Sequence, residues 1–110
     1  MLRCFAAAAL VCVATTAAIA DSRPSKWCGW FMRHELGVSD TRFNRADQWA
    51  DFGSPADGPA VGVIVVWPHH VGIITERTER GFIVRSGNDG GKVRERERSL
   101  RGAIALRWPQ

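Results

Sequence analysis

The hydrophobic pattern of this chain changes once, near residue 60, and that change limits the folds open to it. Ahead of it, apolar residues recur at helical spacing; beyond it, short β-branched runs alternate with turn signals. The first half predicts a helix from Ser25 or Trp27 to Leu36, with Ser25 as N-cap and Gly37 as its stop. Cys28, Phe31, Met32 and Glu35 then share one face. A second helix is predicted from Arg45 to Phe52, with Asn44 as N-cap, Asp47 in the first turn and Gly53 ending it. Residues 54–59, with two prolines and a glycine, read as a loop.

The second half reads as a sheet. Residues 61–67 form a run suited to burial on both faces, and Pro68-His69 joins it as a hairpin to a strand over 70–75. A polar turn at 76–80 leads to a strand over 81–86. Asn88-Asp89-Gly90-Gly91 is the strongest turn signal in the chain. Strands over 92–97 and 103–107 complete a sheet of about five antiparallel strands. Helices first and strands afterwards describe an α+β domain.

Residues 1–20 carry the marks of an export signal: Arg3, an uncharged run over 4–17, and the small-residue site Ala18-Ile19-Ala20. Cleavage there predicts a secreted or periplasmic protein of residues 21–110, one domain with a modest core, monomeric and with no membrane anchor left. Cys4 and Cys12 go with the leader, so one of the 3 cysteines, Cys28, remains unpaired. A lone thiol in an oxidising compartment is a buried inert residue, an intermolecular disulfide, or a nucleophile.

The formal charge is +4, and much of the basic excess lies in residues 85–107, where glutamates are interleaved with arginines. Alternation along a strand puts like side chains on one face, which makes a solvated surface or a contact for an anionic polymer. No zinc-finger, helix-turn-helix or RNA-binding signature accompanies it, and a nucleic-acid partner is not expected.

The chemistry-bearing residues are few. Cys28 opens the first helix within Trp27-Cys28-Gly29-Trp30, and His70 heads the apolar strand His70-Val71-Gly72-Ile73-Ile74. A thiol attacks only as thiolate, which a helix N-terminus and a nearby imidazole both favour. Such a thiol would titrate below the ordinary value of about 8.5. Strand alternation lets only one of His69 and His70 face Cys28, and His34 projects from another side of the helix. No pair of these residues has metal-ligand spacing, so neither a metal nor another cofactor is expected.

Trp27-Cys28 at a helix start, Gly62-Val63-Ile64-Val65-Val66, His70-Val71-Gly72-Ile73 and Ser86-Gly87-Asn88 follow one another in an order that resembles the NlpC/P60 and CHAP superfamily. Its members are papain-like cysteine hydrolases acting mainly on peptidoglycan, and the likeness is to its small single-domain, CHAP-like members. The resemblance implies Cys28 as nucleophile and His70 as general base. A third polar group would orient the imidazole; Asn88 and Ser86 are the candidates, with Asn88 taken as the catalytic one. Trp27 and Ser86 would contact the substrate. The implied activity is an amidase or endopeptidase on peptidoglycan peptides, working through an acyl-enzyme. In this chain Gly62 is followed by Val63, where the family pattern carries an acidic residue, and no wall-binding repeats are present. A non-catalytic envelope-binding module of the same fold is therefore one alternative, and a hydrolase of another amide substrate is a second.

Overall fold

The computed structural model describes residues 22–110; the expected leader, residues 1–20, lies outside them. Helix α1 spans Cys28–Leu36 and ends as predicted at Gly37, which adopts a left-handed conformation with φ 70°. Its start differs from expectation. The N-cap is Trp27 rather than Ser25, and no side chain caps it. Cys28, Phe31 and Met32 are buried on one face, whereas Glu35 is exposed and pairs with Arg85 at 2.8 Å.

In place of the second α-helix, the chain forms two short 3-10 helices, Thr41–Asn44 and Ala46–Asp51. The Asn44 side chain does not cap: its Oδ1 accepts a 2.8 Å bond from Arg33 Nη1. Arg45 between them is extended, so no α-helical turn nucleates there. An aromatic knot holds this stretch instead. The rings of Phe43, Trp49 and Phe52 lie 4.7–5.3 Å apart, and Trp49 Nε1 donates to the Phe43 carbonyl at 2.7 Å.

The strands are β1 Ser54–Pro55, β2 Ile64–Trp67, β3 His70–Arg77, β4 Phe82–Asp89, β5 Lys92–Glu97 and β6 Ala105–Trp108. They form one six-stranded sheet in the order β1-β6-β2-β3-β4-β5, with every pairing antiparallel. The extra strand is the pair Ser54-Pro55, expected to be loop, which lies against Trp108 and Arg107 at the sheet edge. The β2–β3 hairpin closes at Trp67↔His70, as the two-residue Pro68-His69 connection predicts. The β4–β5 hairpin turns at Gly90-Gly91, with φ 68° and 85°, a pair of positive values that suits the twist of the flanking strands.

Alternation along the strands builds two cores. On one face, Ile64, Val66 and Val71 pack with Cys28, Phe31 and Met32 of α1 and with the aromatic knot. On the other, Val63, Val65, Trp67, Ile74 and Val84 pack under Leu100, Ala103 and Leu106. Gly87 is where α1 presses closest, since a Cβ built there would lie 2.5 Å from Phe31 Cβ and 2.8 Å from the Trp27 ring. Among the described residues, no helix is long and apolar enough to cross a membrane.

Candidate functional site

Packing α1 over Gly87 sets its first residue beside the start of β3. Cys28 is free of any disulfide and 5% exposed. Its Sγ lies 3.9 Å from the His69 carbonyl oxygen and within reach of the Val71 N–H. The thiol therefore rests against the backbone on both sides of His70. It forms part of a cleft of about 440 Å³, whose other lining residues include Lys26, Asn44, Arg45, Asp47 and His69.

The His70 ring takes a different direction from the one the motif suggests. Val71 belongs to the α1 side of the sheet, so His70 projects to the other side, in company with Trp67, whose ring lies 5.8 Å away. Its Nε2 meets Ser86 Oγ at 2.9 Å. The ring's hydrogen bond thus goes to Ser86, and the thiol's contact is to backbone. His69, which the motif sets aside, is the histidine that lines the cleft.

Three further expectations are corrected here. Ser86 is fully buried, so it holds the imidazole and is closed to substrate. Asn88 makes no hydrogen bond to the ring. It sits at the register shift of β4 with φ 55°, a left-handed conformation that asparagine tolerates well, so the turn chemistry accounts for it. Trp27, at 6% exposure, packs edge-on against Phe31 at 6.4 Å and belongs to the core rather than to a groove wall.

Charge around the pair is set by a cluster on the β5 side. Asp89, 6% exposed, takes two 2.8 Å hydrogen bonds from Arg96 and lies 3.3 Å from Arg98 Nη1. Arg98 in turn stacks over Trp67 at 4.9 Å. The hydrogen bonds from Arg96 hold the Asp89 carboxyl below its ordinary range. Burial, reinforced by the Arg98 and Arg96 charges, pushes His70 down from 6.5 to about 4. Burial also raises the Cys28 thiol, outweighing the opposing pull of the Val71, Gly29 and Cys28 N–H groups and the charge of Arg98. The expected low-pKa thiol is therefore reversed, because desolvation exceeds what the helix start supplies. At neutral pH the resting pair is a thiol and a neutral imidazole.

No sequence motif marks Lys26, Asn44, Arg45 or Asp47 as site residues; the last three are expected only as the start of a helix. They reach the cleft through the chain path between α1 and the 3-10 helices, for which no sequence motif exists. Among the described residues, no group of three or more His, Cys, Asp or Glu side chains gathers as a metal site. Compared with models of protein families, with curated proteins and with solved structures, the chain matches none.

Proposed function

We propose that the protein is an exported cysteine hydrolase that cleaves amide bonds in peptidoglycan peptides, as an amidase or endopeptidase. The observation that carries this reading is the placement of the Cys28 thiol at a helix start, in a cleft and against the backbone on either side of His70. The NlpC/P60- and CHAP-like order of motifs supplies the substrate class. In the reaction, the Cys28 proton passes to a histidine of the β2–β3 hairpin as Sγ bonds to the amide carbon. The motif order gives that role to His70, whose ring rests on the far side of the sheet against Ser86 and must turn to reach the thiol; the cleft gives it to His69. The N–H groups at the α1 start are the donors available to the carbonyl oxygen as it gains charge. The same histidine then gives its proton to the leaving amine as the C–N bond breaks, leaving a thioester. Water, deprotonated by that histidine, attacks the thioester and releases a carboxylic acid and the free thiol.

Because the resting thiol is protonated, attack and proton transfer occur together once substrate fills the cleft. The same raised thiol and the ring's turn toward Ser86 favour a second reading, a module that keeps the fold and binds envelope peptides without cutting them. Incubating the purified protein with sacculi separates the two. New amine and carboxylate ends, found by mass spectrometry and lost in Cys28→Ala, are the expected result. Retention on sacculi with no new ends would overturn the hydrolase.

A further inference from the structure

The cleft beside Cys28 holds two cations and one anion. Arg45 is neutralised within the cleft, since its Nε and Nη2 bond both oxygens of Asp47 at 3.3 and 3.0 Å. Lys26, two residues before the nucleophile, lines the same cleft and makes no ion pair among the described residues. Lys26 is therefore the one cation lining the cleft that has no carboxylate partner among the described residues. A substrate carboxylate reaching it forms a charge-assisted contact that an amide in its place does not.

We propose that Lys26 is a specificity residue that reads a free carboxylate on the substrate residue flanking the scissile amide, with the Arg45–Asp47 pair limiting how strongly it does so. This rests on the hydrolase reading for the scissile bond, but the carboxylate site itself does not depend on turnover. An ammonium on a flexible stem suits the role, since it follows a carboxylate through several positions without demanding a bidentate approach. Asp47 competes for Arg45, and its removal frees a second cation in the same cleft.

The test uses one soluble cell-wall stem peptide in two forms, carboxylates free and carboxylates amidated. For the unmodified protein, kcat/KM is expected to favour the free form by about two- to fivefold, the range of an exposed charge contact. Lys26→Gln should bring the ratio close to one, Lys26→Glu should invert it, and Asp47→Asn should raise it. Adding salt should lower the ratio. Equal cleavage of both forms, or a ratio unmoved in the Lys26 variants, overturns the proposal and leaves the hydrolase standing. If neither form is cut, calorimetric titration decides. Tighter binding of the free form that Lys26→Glu abolishes keeps the carboxylate site and removes the hydrolase. Equal binding, or none, removes both.

Discussion

The Sγ of Cys28 lies 3.9 Å from the carbonyl oxygen of His69, so the thiol meets the start of β3 through its backbone. The neighbouring imidazole of His70 is meanwhile anchored 2.9 Å from Ser86 Oγ.

The thiol should be sluggish. With burial raising its pKa, iodoacetamide labelling of the folded protein should show a midpoint above that of a small free thiol measured alongside. A midpoint below that control would mean that the helix start and the imidazole outweigh desolvation.

Ser86, rather than Asn88, should control the base. With His70 as the base, His70→Ala should abolish hydrolysis of sacculi, and Ser86→Ala should raise it by releasing the ring to turn toward the thiol. Asn88→Gly should keep most activity, because glycine accepts the φ of 55° at no steric cost. His69→Ala is the decisive control. If it, and not His70→Ala, kills the reaction, the cleft-lining histidine is the base.

Acid should destabilise the fold in a defined window. The folded His70 titrates at about 4 and the unfolded one near 6.5, so between those values the unfolded chain binds more protons. Stability is then full above about pH 7 and falls as the pH drops through the window, by about 3 kcal/mol in all. Urea unfolding at several pH values should show this, and His70→Gln should flatten the slope. Asp89 adds a separate loss at lower pH, as its depressed carboxyl takes up a proton and releases Arg96. A His70→Gln profile as steep as the parent's would assign the acid sensitivity elsewhere.

Gly87 should not accept a side chain. A Cβ there meets Phe31 Cβ at 2.5 Å, and α1 must retreat from the sheet to admit it. Gly87→Ala should therefore destabilise by about 1–3 kcal/mol, read as a lower denaturant midpoint. It should also increase thiol labelling, since Cys28 moves with α1. Unchanged labelling with a lowered midpoint would mean that the sheet, not the helix, yields.

The local chemistry of the sequence determined much of this protein. Gly37 ends α1, Pro68-His69 closes one hairpin, Gly90-Gly91 closes another, and residues 92–97 form a strand with the bounds their pattern predicts. Each follows from backbone preferences that act over a few residues. The same preferences put Cys28 at a helix start and His70 at a strand start, but not the side of the sheet to which each side chain turns. What only the tertiary structure decided is where side chains point and what surrounds them. Asn44 bonds Arg33 across the fold rather than capping a helix, and Ser86 rather than Asn88 takes the imidazole. Ser54-Pro55 becomes a strand because Arg107 and Trp108 lie beside it. The thiol's pKa rises because packing removes water from it, a balance set by burial from distant parts of the chain.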